Sequence, residues 1–215
     1  MSEVSKHFDF IAKDYDFYKK RNWFYYQSLK KLLKTLIPSG KNVLEIGCGT
    51  GDLLATLKPK VGKGMDISSN MIKIAHQKYP QLFFSIKIPK GDSWDYIFMC
   101  DVIEHLENPQ KTFLEISKVM NENTIFVCTM ANPIWEPVLM IAEKLKLKMP
   151  EGKHYRHSSE ETRFLFESAG LKVVGHDFRL LLPIYIPIVS GLINKYLEPI
   201  FNRLAFIEYF VITKS

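Results

Sequence analysis

The stretch NVLEIGCGTGDLL at residues 42–54 decides how the rest of the chain is interpreted. An apolar run that predicts a buried strand is followed at once by three alternating glycines, Gly47, Gly49 and Gly51. A helix-forming segment comes next. A strand, a glycine turn and a helix in this order direct backbone N–H groups toward the carboxyl edge of a sheet. The stretch therefore predicts a site for a nucleotide-like cofactor.

The chain around this stretch alternates strands with helices. Residues 1–37 predict two helical pieces, which end before the stop signal Pro-Ser-Gly at residues 38–40. Seven strands are predicted in the segments NVLEIG, VGKGMDIS, LFFSI, WDYIFMCD, NTIFVCTM, LKVVGHDF and FIEYFVITKS. Because helical patterns separate most of these segments, the chain predicts an α/β, doubly wound, Rossmann-like sheet with helices on both faces.

The composition indicates a globular domain in a reducing compartment. A length of 215 residues, 47% hydrophobic and 24% charged, favours a single domain over residues 1–215. Cys48, Cys100 and Cys128 lack disulfide or metal-ligand spacing, so no metal is expected. The charged N-terminus does not resemble a signal peptide, which favours the cytoplasm. The net charge of +6 indicates either a solvated lysine-rich surface or an anionic partner; without a nucleic-acid motif, no nucleic-acid partner is expected.

The spacing of the glycines distinguishes between cofactors. A dinucleotide turn reads G-x-G-x-x-G, but Asp52 stands where its third glycine would be. The carboxylates of Asp52 and Glu45 disfavour a pyrophosphate, whereas Glu45 can support the amino group of an amino-acid moiety. Asp66 ends the next strand, where an acid commonly binds ribose hydroxyls. An adenosine joined to a cationic amino acid, S-adenosylmethionine (SAM), satisfies all of these features.

Four segments in this order resemble the class I SAM-dependent methyltransferases, particularly the ubiquinone-biosynthesis-like small-molecule group. They are FDFIAKDYD near the N-terminus, VLEIGCGTG, GMDIS, and WDYIFMCDVIEHLENP around the fourth strand. The resemblance covers roughly residues 8–130, with a weaker similarity at 154–178 and in the last strand. It implies a methyltransferase that uses SAM, releases S-adenosylhomocysteine, and has an antiparallel last strand.

The resemblance also implies roles for individual residues. Glu45 would lie near the amino group of SAM, Asp66 would bind the ribose, and Ile67 would pack on the adenine. The glycine turn, the end of the fourth strand and a covering tyrosine complete the expected cofactor site: Tyr15, Gly47, Cys48, Gly49, Gly51, Cys100 and Asp101. For Tyr15 the alternative is a place on a helix surface, and for Asp101 it is a role as a helix cap.

The adenine end departs from the family pattern. Relatives usually carry an acidic residue in a longer loop after the third strand, where it contacts the adenine amino group. In this chain the segment LFFSIKIPKGDSWD is short and basic. Asp92 is the candidate acid, although it lies close to the fourth strand.

His105, in DVIEHLENP, is the candidate catalytic residue. Methyl transfer from a sulfonium mainly requires that the acceptor be held in line, but a hydroxyl acceptor must also lose a proton. A histidine after the fourth strand lies at the ligand-binding edge of the sheet and titrates near neutral pH. The alternatives for His105 are a shaping role and a purely structural one, and Glu104 either orients it or faces solvent.

A second cluster, GKHYRHSSEE, places His154, Tyr155 and Arg156 before a helix. It resembles the family's lead into the sixth strand, which often borders the acceptor, so these residues are substrate-binding candidates. The alternative is a solvated basic loop. Two histidines three residues apart could also suggest a metal, but no carboxylate or cysteine accompanies them at ligand spacing.

Two stretches interrupt the alternation and carry the information about the acceptor. Residues 132–153 are apolar and then lysine-rich, and residues 179–204 are strongly apolar and broken by prolines. The second is more interrupted than a spanning helix. Such a segment could be a lid over an apolar pocket, a membrane-surface anchor, or a packing or dimer interface. The first two interpretations predict a hydrophobic or lipid-linked acceptor.

Other classes of function remain as alternatives. A tRNA or protein methyltransferase would be expected to carry an added nucleic-acid domain or an Asn-Pro-Pro-Tyr-type sequence after the fourth strand, and CDVIEHL is neither. A non-catalytic SAM-binding protein would share the same glycine turn. An NAD-dependent oxidoreductase is disfavoured by Glu45 and Asp52. The leading prediction is methyl transfer to oxygen, with nitrogen and carbon as alternatives.

Overall fold

A computed structural model describes residues 2–145, 147, 149, 155 and 157–215. In this part of the chain seven strands form one sheet in the order β3-β2-β1-β4-β5-β7-β6. The strands are β1 (Asn42–Ile46), β2 (Val61–Met65), β3 (Phe83–Ser85), β4 (Tyr96–Cys100), β5 (Ile125–Ala131), β6 (Leu171–Arg179) and β7 (Ile207–Lys214). β1 to β5 pair in parallel, whereas β7 is antiparallel to both β5 and β6. The predicted α/β sheet with an antiparallel last strand is confirmed.

Helices connect the strands and pack on both faces of the sheet. Their bounds are α1 (Glu3–Ile11), α2 (Tyr15–Arg21), α3 (Trp23–Leu36), α4 (Asp52–Thr56), α5 (Ser69–Lys78), α6 (Pro109–Val119), α7 (Glu136–Lys144), α8 (Ser159–Ser168), α9 (Val189–Leu192) and α10 (Glu198–Phe201). Side-chain caps fix several of the helix starts. Ser68 caps α5, Asn108 caps α6, and Ser158 forms a capping box with Glu161 at α8.

The N-terminal region holds three helices, so the prediction of two helical pieces over residues 1–37 was wrong. The chain turns after Ile11, where the Asp14 N–H donates to the Ile11 carbonyl at 3.0 Å. The turn lets α1 lie along α5, where Asp9 accepts hydrogen bonds from Ser68 and Asn70. The following helix can then take a different direction, toward α4. Contacts with distant segments therefore decide this break.

The central strands are buried on both faces, as is usual for parallel strands covered by helices. Residues of β1 point alternately into two apolar clusters, with Val43 in one and Leu44 in the other. The first cluster packs α3, α4 and α5 on the sheet through Leu29, Leu33, Leu54 and Ala75. The second packs α6 and α8 through Phe113, Ile116 and Phe166. This two-sided core holds the strand ends rigidly in place.

The strand order reverses direction between β1 and β4. From β1 the chain moves outward through β2 and β3, and then returns to pair β4 with the other side of β1. In open α/β sheets, ligands bind at such a switch point, beyond the carboxyl ends of the strands. The fold therefore places the glycine turn after β1 and the loop after β4 side by side.

Gly51 begins α4 in a left-handed conformation, with φ +83°. A Cβ atom added there would lie 2.8 Å from the Phe84 ring and 3.1 Å from the Tyr79 ring. The third glycine of the turn is therefore required for backbone conformation and for close packing of α4 against β3 and the end of α5.

We expect Gly51→Ala to lower the free energy of unfolding by about 2–4 kcal/mol, because left-handed strain adds to overpacking against the two rings. Gly40→Ala is the matched control. Gly40 has φ +75° but nothing within 4 Å of an added Cβ atom, so only the strain of about 1–2 kcal/mol should appear. Urea unfolding of both variants measures the difference. Equal losses would contradict the packing role of Gly51.

Candidate active site

A cavity of about 600 Å³ opens at the switch point, beyond the carboxyl ends of β1, β2 and β4. This volume is typical of a small-molecule site. The structure brings ten of the residues expected from the sequence to its wall: Tyr15, Glu45, Gly47, Cys48, Gly49, Asp66, Ile67, Cys100, Asp101 and His105. Gly51 is not among the residues that border the cavity, so the need for glycine at this position is explained by packing rather than by contact with a cofactor.

The backbone N–H groups of the glycine turn are used inside the protein. Those of Gly47 and Cys48 donate to the Met65 carbonyl at 2.7 and 2.9 Å, and that of Gly49 donates to Asp66 at 2.8 Å. The expectation that the turn directs these groups toward a ligand was therefore wrong. A phosphate would not find these three donors available, which disfavours a dinucleotide more directly than the glycine spacing does.

Glu45 is a buried carboxylate at the base of the cavity. It is 2% exposed, and one of its oxygens accepts a hydrogen bond from the Leu54 N–H at 3.1 Å. Burial raises the pKa of Glu45 well above its usual range, and the nearby ammonium of Lys19 opposes this shift. A buried acid in this position would be stabilised by a cationic group in the cavity.

Asp66 joins the glycine turn to the start of α5. Its two carboxylate oxygens accept hydrogen bonds from the N–H groups of Gly49 and Ser68, each at 2.8 Å. Burial raises the pKa of Asp66 to about 6, although these two hydrogen bonds lower it in part. The carboxylate is thus held in a fixed orientation at the cavity wall.

Asp52 faces the N-terminal helices and does not border the cavity. Its carboxylate accepts hydrogen bonds from Lys19 at 2.6 Å, Lys78 at 2.8 Å and Tyr79 at 2.6 Å. Burial alone would raise the pKa of Asp52, but these partners outweigh burial and hold it well below its usual range. The argument that Asp52 repels a phosphate was therefore wrong, because its charge is already balanced by two lysines.

Lys19 borders the cavity, and the sequence analysis missed it. Its ammonium lies between Asp52 and the rings of Tyr15 and Tyr26, 5.4 and 5.2 Å from the two ring centroids. Lys19 follows Tyr15 by four residues on α2, so the two side chains share a helix face. That spacing was the available signal. The position brings a positive charge to the wall that also holds Glu45.

Asp101 directly follows β4 and has a left-handed backbone, with φ +53°. Such strain is uncommon outside glycine and is often found at functional sites. The Tyr25 hydroxyl donates to Asp101 at 2.5 Å, and both residues border the cavity. Burial, and then the charge of Asp101, raise the pKa of Tyr25 well above its usual range. Tyr25 was also missed, because it lies 76 residues from its partner.

His105 lies in a short 3-10 turn (Ile103–His105) after β4. Its ring packs edge-on against Phe8 of α1, with centroids 5.1 Å apart and an interplanar angle of 83°. Contact between the loop after β4 and the first helix holds the imidazole at the cavity wall. Glu104, beside it, is buried rather than solvent-facing.

Beside Asp66, the cavity wall near β2 and α5 also carries apolar side chains. Ile67, Met71 and Ile88 contribute to its wall there. Asp92, the candidate acid for the adenine amino group, pairs instead with Lys63 at 2.8 Å and does not border the cavity. A carboxylate paired in this way is turned away from a ligand, so the expectation for Asp92 was wrong.

The opposite end of the cavity is formed by the two stretches that interrupt the strand–helix alternation. Its wall is apolar and includes Trp135, Val138, Leu139, Ala142, Leu147, Leu182, Pro183, Ile184 and Phe206. Met149, from the first of the two stretches, packs instead on the cluster that contains Met71. Tyr155 lies outside this cavity and donates its N–H to the Glu104 carbonyl at 2.6 Å. His154 and Arg156, the other substrate-binding candidates, lie outside the described residues.

The described residues contain no group of three or more histidine, cysteine, aspartate and glutamate side chains placed to hold a metal ion. Cys48, Cys100 and Cys128 are buried as free thiols, and burial raises the pKa of each well above its usual range. A buried thiol with a raised pKa is a poor nucleophile at neutral pH. These cysteines therefore fit a packing role.

Comparisons with known proteins agree with this geometry. Residues 17–176 match the family model for a methyltransferase domain. An uncharacterized protein of Methanocaldococcus jannaschii is 34% identical over 116 residues, which are 53% of this chain and 55% of that protein. A second such protein matches over 52% of its length, so this chain spans about half the length of these two relatives. A demethylmenaquinone methyltransferase of Staphylococcus aureus is 26% identical over 77% of this chain and 73% of its own.

Solved structures share the fold. A SAM-dependent methyltransferase of Thermotoga maritima superposes with a TM-score of 0.74 at 21% identity, covering 99% of this chain and 100% of its own. A methyltransferase of Haloferax volcanii in complex with the Trm112 activator gives 0.73 at 21% identity, covering 97% and 98%.

The match of the family model covers well over half of the chain, and it includes the glycine turn and the buried acids Glu45 and Asp66. This match shows that the chain belongs to the methyltransferase domain family.

Proposed function

We propose that this protein transfers the methyl group of SAM to an oxygen of a small, hydrophobic or lipid-linked acceptor, with nitrogen or carbon as alternative acceptor atoms. One observation carries the proposal. The same cavity has the buried acids Glu45 and Asp66 and the ammonium of Lys19 at one end, and at the other a mostly apolar wall supplied by the two irregular stretches. The charged end suits an amino acid joined to a nucleoside, and the apolar end suits an acceptor without charges.

The residues at the charged end fit SAM. Glu45 would hold the amino group of the methionine moiety and Lys19 its carboxylate. Both side chains lie at the cavity wall, and each has a charge opposite to that of the group it would bind. Asp66 would accept hydrogen bonds from the ribose. Ile67 and Met71 would pack on the adenine. When bound, SAM supplies a methyl group on a sulfonium, which is already a good leaving group.

The protein's main task is then to position the acceptor and to manage one proton. The apolar wall excludes water and orients the acceptor, which can supply several kcal/mol of the rate acceleration. His105 would take the proton from an acceptor hydroxyl. The hydrogen bond from Tyr25 to Asp101 holds these two side chains together at the cavity wall.

The apolar end favours an acceptor such as a prenylated ring or a lipid-carried sugar. Leu182, Pro183 and Ile184 come from the apolar segment between the last two strands and form part of the wall, as expected of a lid. The relative from Staphylococcus aureus is named for demethylmenaquinone, which is consistent with this class. Because such acceptors reside in membranes, we also propose peripheral contact with the inner face of the membrane.

A protein-associated role is the second candidate. The Haloferax volcanii neighbour is bound to the Trm112 activator. Around the mouth of the cavity in the present protein, apolar side chains such as Val138 and Ile184 are more than half exposed. A protein acceptor or activator could cover such side chains, and so could a lipid.

Calorimetry tests the choice of cofactor. The protein is expected to bind SAM and S-adenosylhomocysteine but not NAD, since the N–H groups of Gly47, Cys48 and Gly49 are not available to a pyrophosphate. Binding of NAD in preference to SAM, or no binding of either SAM-type ligand, would overturn the proposed function.

The affinity for SAM is expected to fall as the pH decreases through about 6, because protonation removes the negative charge of Asp66 and weakens it as a hydrogen-bond acceptor. Asp66→Asn should bind SAM about 10- to 100-fold more weakly at neutral pH and show a shallower pH dependence. Calorimetry at several pH values measures both effects. Asp92→Asn, in the residue paired with Lys63 away from the cavity, should keep the wild-type profile. An unchanged profile in Asp66→Asn would contradict the assignment.

Replacement of the candidate base separates binding from turnover. With radiolabelled SAM and a short prenylated hydroquinone, His105→Ala should lower kcat by about 10²- to 10⁴-fold while SAM affinity stays near the wild-type value. His76→Ala is the control, since His76 is exposed on α5 and does not border the cavity. Unchanged turnover in His105→Ala would demote His105 to a shaping residue.

A further inference from the structure

In the segment between β6 and β7, several polar side chains face inward and many apolar side chains face outward. Ser190, Asn194 and Glu198 recur at four-residue spacing, so they share one side of this helical region. The Ser190 hydroxyl bonds the backbone of Ile184 and Ile186, and it is fully buried. Asn194 bonds both backbone groups of Leu182, and Glu198 accepts from the N–H groups of Leu180 and Leu181. The side chains of Ser190, Asn194 and Glu198 therefore point inward and hold the backbone of the segment itself.

Apolar side chains of the same segment point outward. Ile188 is 79% exposed and Ile200 is 70% exposed. Ile188 also has φ +68°, a conformation that is a true outlier for a β-branched residue. A helical segment that packs on a core in water places its polar residues outside. This segment does the reverse, and its internal hydrogen bonds show that the arrangement is built rather than loose.

The first irregular stretch extends this apolar surface. Ile141 and Leu145, at the end of α7, are 59% and 63% exposed. The Trp135 indole N–H donates to the Leu204 carbonyl at 2.8 Å, which ties the two stretches together. We call the exposed apolar side chains of residues 134–147 and 184–204 the apolar rim. Both stretches also border the cavity, through residues such as Val138 and Ile184, so the cavity opens within the rim.

The charges beside the rim select its partner. Lys144, Lys195 and Arg203 are exposed on the same two stretches, whereas Glu136 and Glu143 of the first stretch are half-buried. Glu198, by contrast, is used in the internal hydrogen bonds. Two copies of this surface would bring like charges together, whereas an anionic bilayer offers both an apolar interior and negative headgroups. None of the described helices is long and apolar enough to cross a membrane.

We infer that the apolar rim docks on the surface of an anionic lipid bilayer, with Lys144, Lys195 and Arg203 at the headgroups and Ile188 and Ile200 among the acyl chains. The acceptor then passes from the bilayer into the cavity without crossing water. This second step rests on the proposed function, but docking itself does not depend on turnover.

Sedimentation with vesicles tests the docking. The intact protein is expected to bind vesicles of equal parts phosphatidylglycerol and phosphatidylcholine, and to bind pure phosphatidylcholine much more weakly. Ile188→Glu combined with Ile200→Glu should reduce binding about tenfold or more. Phe164→Glu combined with Val174→Glu is the matched control, because these residues are comparably exposed on α8 and β6 and border no part of the cavity.

A second set of variants tests the charges. Lys144→Glu, Lys195→Glu and Arg203→Glu together should remove the preference for phosphatidylglycerol. The same change at Lys34, Lys41 and Lys60, three exposed lysines near the amino ends of β1 and β2, should leave the preference intact. SAM calorimetry on every variant shows that the fold and the cofactor site are preserved.

The outcomes separate the two proposals. Vesicle binding without SAM binding would leave the docking inference standing and sink the proposed function. SAM binding with no vesicle binding, or vesicle binding that ignores both sets of rim variants, would overturn the docking inference. Sedimentation velocity tests whether a second copy of the chain or another protein binds the apolar rim instead. A dimer, or a complex with a protein, that is abolished by Ile188→Glu and forms in preference to vesicle binding would also overturn it.

Discussion

The carboxylate of Asp66 is the connection on which the site depends. It joins the glycine turn to the start of α5 through the N–H groups of Gly49 and Ser68, while Met65, beside it, receives the N–H groups of Gly47 and Cys48. Burial of this acid raises its pKa to about 6. A carboxyl group whose pKa is raised in the folded state contributes less to stability as the pH rises toward that value. The ionised carboxylate of Asp66 at the cavity wall therefore lowers the stability of the folded state at neutral pH.

A network of charges couples the N-terminal helices to the same turn. Lys78 bonds both Asp16 and Asp52, and Lys19 bonds Asp52 from α2. Partly buried pairs of this kind are screened less by salt than pairs on an open surface. Because Tyr15 and Lys19 border the cavity, the network positions α2 at the cavity wall as well as α4.

The cavity has a different origin at each end. The charged end is made by short turns directly after β1, β2 and β4, where the sheet leaves little freedom. The apolar end is made by segments after β5 and between β6 and β7, which the sheet does not constrain. The family match covers the turns that form the charged end, whereas residues 179–204 lie beyond it. The inward-facing Ser190, Asn194 and Glu198 show that the second of these segments has its own internal order.

The sequence by itself determined the alternation of strands and helices, the glycine turn, and the two acids Glu45 and Asp66, because local patterns and short spacings encode all of these. Only the tertiary structure decided which side chains meet across the chain. Tyr25 reaches Asp101, Lys19 neutralises Asp52, and Asp92 turns to Lys63. It also showed that Gly51 is required for packing, and that the N–H groups of Gly47, Cys48 and Gly49 donate to Met65 and Asp66. The partner of a charge or a donor depends on segments that are distant in sequence, and packing alone brings them together.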